Sequence, residues 1–178
     1  MTQNRQNYKR LGETAVSGEL EHLLGQKAVF SDLNYASTSQ IKPELSQIEI
    51  EAVWVKNRSG GALLPRAIVK WHASYPGTGS DVVTTTNDVA AGVVDPYLPA
   101  AGVPNNDHFW LIRRGPAKID SDGAAISAGV LVQTAVTGYG KSWVAGTENE
   151  KAIVGRAMEA AALASDPQAT RILVDCRF

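Results

Sequence analysis

Cysteine is nearly absent from this chain. Cys176 is the one thiol among 178 residues, which excludes an intramolecular disulfide and any cysteine-based zinc cluster. Its place in the apolar run at residues 171–178 reads as a small buried hydrophobe of a strand, not as a nucleophile. An excess of charge of one sign is also missing: 17 Lys and Arg stand against 18 Asp and Glu, for a net charge of −1. Nucleic acid and anionic membrane surfaces both select for a basic excess, so neither is expected as a direct partner. No stretch approaches the ~20 apolar residues of a transmembrane helix. Residues 1–10 are polar and basic with no apolar h-region, so no secretory leader is expected and synthesis in the cytoplasm is.

Local motifs for chemistry are equally scarce. His22, His72 and His108 form no H-x-x-x-H or H-E-x-x-H pair of the kind that supplies zinc or non-haem iron ligands. The aspartates fall mostly in turns and build no D-x-D-x-D-G calcium loop. Ser142 lacks the G-x-S-x-G elbow of an activated serine. Gly138-x-Gly140-Lys141-Ser142 has the wrong glycine spacing for a phosphate loop and no parallel β-α unit around it. Glu49 and Glu51 share one strand face, as alternating polar residues of any half-exposed sheet do. Asp107-His108 is the one pairing that suits a hydrolase, but His108 opens an apolar strand and reads first as a structural residue. No cofactor, metal or catalytic activity is expected.

What is present is strand. Hydrophobic residues make up 44% of the chain and charged residues 20%, the balance of a globular domain. At this length, one domain can bury its own core. From residue 48, Ile48, Ile50, Ala52 and Trp54 alternate with Glu49, Glu51, Val53 and Val55, a period of two. Asn57-Arg58-Ser59-Gly60-Gly61 is a concentrated turn signal before a second strand at residues 67–72, so the pair predicts a hairpin. Residues 82–86 form a short β-rich run, and residues 91–106, with three prolines, an ordered loop. Residues 108–114 are the strongest strand, ended by Gly115-Pro116 because proline leaves a central ladder unpaired. Strands follow at residues 130–136 and 170–177. Residues 150–165 are ambiguous, since their alanines favour helix while Ile153-Val154 suits a strand. Trp54, Trp71 and Trp110 read as core. Trp143, after a Gly-rich turn, fits either the core or an exposed ring that stacks on sugar or fills a partner's pocket.

The first 47 residues differ in character. Arg5, Lys9 and Arg10 make the start basic, Leu20, Leu23 and Leu24 fall at helical spacing between a capping Ser17 and a terminating Gly25, and residues 31–47 carry little periodicity. Two readings stand: an arm packed on its own domain, or an arm reaching onto a neighbouring molecule. The expected fold is all-β, a small β-barrel or β-sandwich of jelly-roll-like type over residues 48–178, with an extended N-terminal arm and short helix over residues 1–47.

Several segments taken in order resemble the small β-barrel decoration, or cement, proteins of tailed-bacteriophage capsids. They are Ala91-Gly92-Val93-Val94, the run from Phe109 through Gly115-Pro116 to Ile119, and Ile126-Ser127-Ala128-Gly129-Val130-Leu131-Val132. Val154-Gly155-Arg156-Ala157-Met158-Glu159-Ala160 and Ile172-Leu173-Val174 complete the series. The resemblance covers residues 91–178. It implies that residues 153–160 form a strand against their local propensity. It also implies a non-enzymatic virion protein on the outer capsid surface, made in the host cytoplasm, whose partner is the major capsid protein and which self-associates; a trimer is favoured because shell junctions of that symmetry are abundant. The long N-terminal segment and the stretch from Asp95 to Asn106 depart from the pattern and are the parts expected to grip a shell. The candidate contact residues in these parts are Arg5, Tyr8, Lys9, Arg10, Leu20, Leu23, Leu24, Tyr97 and Leu98, with Trp143 added as the ring after the Gly-rich turn. The alternative is a carbohydrate-binding β-sandwich of a phage tail or surface appendage, with Trp143 and Tyr139 as a stacking platform.

Overall fold

Period-two alternation of β-branched and aromatic residues builds most of the secondary structure. The computed structural model describes residues 9–31, 49–146, 149–162 and 169–176. It is all-β, with strands β1 (Lys27–Ser31), β2 (Glu49–Asn57), β3 (Ile68–Trp71), β4 (Gly79–Val82) and β5 (Gly92–Val94). These are followed by β6 (His108–Asp120), β7 (Leu131–Thr134), β8 (Gly140–Ser142), β9 (Ile153–Ala157) and β10 (Ala169–Asp175).

The pairings close two rings on a common strand. β2 pairs with β4 in parallel, β4 with β3, β3 with β5 and β5 with β6, and β6 returns to β2. On its C-terminal half β6 pairs with β10, which continues through β9 and β7 to β8. A bridge from Ser121, the residue after β6, to Gly140 closes this second ring. Rings this small hold side chains and nothing else. Val53, Val55, Val69, Val94, Phe109 and Leu111 fill the first, with Leu63, Leu98 and Val103 closing its end. The alternate residues of the same strands, Ala52, Trp54, Ile68, Val93, Trp110 and Ile112, face the second core, which continues through Ile119, Val132, Val154, Ile172 and Val174.

Three local expectations change. The hairpin between residues 48–55 and 67–72 does not form, because β3 lies between β4 and β5 instead of beside β2. The turn-rich residues after β2 span the end of the first ring. Asn57 is buried there, and its Nδ2 donates to the carbonyls of Gly61 (2.8 Å), Val103 (2.8 Å) and Pro104 (3.1 Å). Gly115-Pro116 does not end β6. The register slips between Glu51 and Ala52, Gly115 takes φ +99°, and Pro116 continues the strand opposite Leu173. A β-carbon on Gly115 would lie 2.3 Å from the Glu49 carbonyl oxygen, so only glycine turns this bend. The β-rich run expected over residues 82–86 joins the sheet only at Val82, the last residue of β4.

The ambiguous alanine-rich segment resolves as a 3-10 turn, Glu150–Ala152, followed by strand β9. Tertiary pairing overrides propensity here: Gly155 lies against β10 so closely that a β-carbon would fall 2.1 Å from the Leu173 carbonyl oxygen. In β10, Thr170, Ile172 and Val174 point inward with Cys176 after them, as their alternation requires.

Candidate interaction surfaces

Residues 9–25 lie as a strap across the face of the first ring that carries Trp54 and Trp110. Each step of the strap is tied by a named bond. The Trp110 indole Nε1–H donates to the Lys9 carbonyl at 2.7 Å. The Gly12 N–H donates to the Asp95 carboxylate. Ala15 and His108 exchange backbone bonds of 3.0 and 2.7 Å, and Ser17 N–H donates to Asp107 Oδ1 at 3.1 Å. Leu20 stands in the left-handed region at φ 56°, which restricts helix to the single 3-10 turn Glu21–Leu23, and Gly25 ends it at φ +82°. Gly25 N–H then donates to the Trp54 carbonyl at 2.9 Å, and the chain enters β1, which pairs with β2.

This places the sequence-predicted contact residues. Arg5 and Tyr8 lie outside the described residues. Lys9, half-buried, reaches Glu19 at 3.6 Å, and exposed Arg10 donates its backbone N–H to Glu13 at 2.9 Å. Leu23 is a core side chain, and Leu20 and Leu24 pack half-buried against the same core. Tyr97 is half-buried beside the strap, its N–H bonded to Asp95 at 2.9 Å, while Leu98 is buried in the first ring. The fold thus gathers Lys9, Arg10 and Tyr97 on the strap side and places Trp143 elsewhere. Trp143 and Tyr139 do not share a platform. Trp143 lines a groove with Leu131, Ile153 and Leu173, whereas Tyr139 borders a separate apolar crevice with Leu64 and Val82.

Beneath the strap sit polar groups that local motifs did not reveal. Asp95 is fully buried, and burial raises its carboxyl to about 6 against the pull of the Gly12 and Tyr97 N–H groups. His108 is fully buried and stacks on Trp54 with centroids 6.2 Å apart. Burial first, and the Lys56 ammonium second, hold its imidazole below the ordinary value. Lys56, buried in β2, is bonded to Glu21 of the strap, whose carboxyl it pulls down. Asp107 and His108 do not combine into a dyad, since the Asp107 carboxylate is turned to Ser17 and the imidazole is sealed from solvent.

The second surface is an open sheet face on the side away from the second core. Cross-strand register aligns Val29, Glu51, Arg114 and Asp175 across β1, β2, β6 and β10. A second row aligns Leu173, Arg156 and Leu131 across β10, β9 and β7. Two concavities of about 430 and 520 Å³ meet at Leu173 and Asp175, the larger one walled by Trp143. Val29 is 60% exposed and Leu173 38%, so the face mixes apolar and charged groups in the manner of a protein-contact surface. Leu173 was legible as the outward residue of the β10 alternation, but its neighbours on β1, β2 and β9 come from register alone.

Among the described residues, no group of three His, Cys, Asp or Glu side chains is placed to hold a metal ion. No helix among them is long and apolar enough to cross a membrane. No protein-family model matches the chain, and no curated protein sequence matches it. Among solved structures it is similar to the N base of head fibre gp8.5 of bacteriophage phi29. That match covers 70% of this chain and 94% of the other, at 13% identity and a TM-score of 0.47.

Proposed function

We propose that this chain is a structural protein of a tailed-bacteriophage virion. It binds the outer surface of an icosahedral head and stabilises the junctions between capsid subunits, with the major capsid protein as partner and without catalysis. The observation that carries this reading is β9. The resemblance to capsid decoration proteins implied a strand over residues 153–160 against an alanine-rich propensity for helix; Ile153–Ala157 is a strand with Gly155 seated on the β10 backbone, and residues 158–160 lie beyond its end. The mixed face around Arg114, Leu173 and Trp143 supplies a surface suited to a protein partner, and Lys9 and Arg10 supply rim charge on the strap side.

A protein that binds only the assembled shell stabilises it by mass action. Repetition over a lattice turns modest contacts into avidity, more so if the chain binds as a trimer, whose symmetry matches abundant shell junctions. The test is to add purified protein to expanded phage heads and follow the melting of the shell. A raised melting temperature that saturates with protein supports the reading; an unchanged one at saturation overturns it. Deleting residues 1–47 would also strip Leu11, Ala15, Leu23 and β1 from the fold, so the informative truncation removes residues 1–8 only. Weakened shell binding by that folded variant supports a gripping arm.

A further inference from the structure

We propose that the strap of residues 9–25 is a proton-linked latch whose docking depends on two groups it covers, Asp95 and His108, acting in opposite directions. Both side chains have no exposed surface, and both sit under the same short stretch of chain. Gly12 donates its N–H to the Asp95 carboxylate, and Ala15, three residues on, forms the backbone bridge to His108. The groups facing Asp95 are the Gly12 and Tyr97 backbone N–H donors, and no cationic side chain is bonded to it among the described residues. His108 faces Lys56 from β2 and Glu21 from the strap, whose carboxylate lies 3.9 Å from Nε2. Arg58 adds positive charge near Glu21, and Asp107, its neighbour in sequence, is engaged by Ser17.

Burial favours the neutral form of each group, outweighing the N–H donors at Asp95 and, with the Lys56 ammonium, the Glu21 carboxylate at His108; neutrality lies on opposite sides of the pH scale for an acid and a base. Asp95 stands at about 6 when covered, against an ordinary 3.8. Between those values the docked form holds the proton that the released form gives up, so docking strengthens as pH falls. His108 is held below its ordinary 6.5 when covered. There the released form takes the proton, so docking weakens as pH falls. The two dependences overlap in the mildly acidic range and offset one another, which keeps the strap seated across it.

The test measures hydrogen-exchange protection at Gly12, Ala15 and Ser17 in the full chain between pH 5 and 7, with Val53, Val55 and Leu111 as internal reporters of the folded ring. In Asp95→Asn, strap protection should fall on acidification, by up to about tenfold per pH unit for one proton. In His108→Gln it should rise by a similar factor. Wild type and the double variant should both change less than either single variant. His108→Phe, which keeps a ring against Trp54, serves if the glutamine variant loses protection in the ring strands. Equal slopes in all variants, or slopes of the same sign in both single variants, overturn the latch.

Discussion

Gly155 and Leu173 touch backbone to backbone across β9 and β10, and a β-carbon at residue 155 would lie 2.1 Å from the Leu173 carbonyl oxygen. The contact leaves no room for alanine, and backbone cannot swing aside as a side chain can. Gly155→Ala should cost about 1–3 kcal/mol, the range for overpacking a tight site, read as a lower midpoint in urea with an unchanged slope. A neutral result would mean that β9 and β10 separate more easily than their register implies.

Trp110 joins three elements. It faces Trp54 across β2 and β6 with ring centroids 4.9 Å apart, meets the Phe30 ring at 5.2 Å and donates to the Lys9 carbonyl. Trp110→Phe keeps an aromatic ring in place but removes the donor, at a cost of about 1 kcal/mol for the hydrogen bond. The Trp54–Trp110 exciton couplet in far-ultraviolet circular dichroism should vanish with it. A couplet that persists would show that the two indoles do not interact as placed.

The Cys176 thiol should be inert in the folded protein. Burial pushes it up to about 12, opposed by the nearby Arg113 guanidinium, so almost no thiolate forms at neutral pH. A disulfide-exchange reagent at pH 8 should label the protein only on unfolding, at the rate that a fluorescence probe gives for loss of the fold. Labelling faster than unfolding would indicate that the end of β10 opens locally.

Asp88 supplies a conventional acid-side dependence. Partial burial opposes ionisation, but the Thr84 and Thr85 N–H groups, Lys70 and the Thr84 hydroxyl outweigh it and hold the carboxyl at about 2. Its folded value is depressed, so its contribution is present above 3.8 and disappears as pH falls toward 2. Asp88→Asn should therefore destabilise by about 1 kcal/mol at pH 7 after allowance for solvent screening. The difference from wild type should shrink below pH 4. Urea unfolding of both proteins across that range measures it.

Much of the strand content was legible because burial on one face imposes a period of two, and β2, the start of β6 and β10 carry it openly. Partner choice was not legible. Nothing local to residues 57–72 tells β3 to lie between β4 and β5, and the turn residues that suggested a hairpin are used by Asn57 to anchor a crossing loop. Pro116 looked like a stop because a missing N–H is a local fact, whereas the bend at Gly115 that accommodates it depends on Glu49 in another strand. The three leucines at residues 20, 23 and 24 marked an apolar face without showing what it covers. Asp95 was likewise one loop aspartate among several, distinguished only when Gly12 is brought onto it.

The shared strand β6 has a consequence for how the chain is made. β2 is synthesised early, yet Val53, Trp54 and Val55 find their partners in Leu111, Trp110 and Phe109, more than 50 residues later. Until β6 emerges, the nascent chain carries a strand apolar on both faces, with only β1 and the short β4 to flank it. Both rings wait for the same segment, so neither can be completed ahead of it, and folding should proceed as one late event instead of ring by ring.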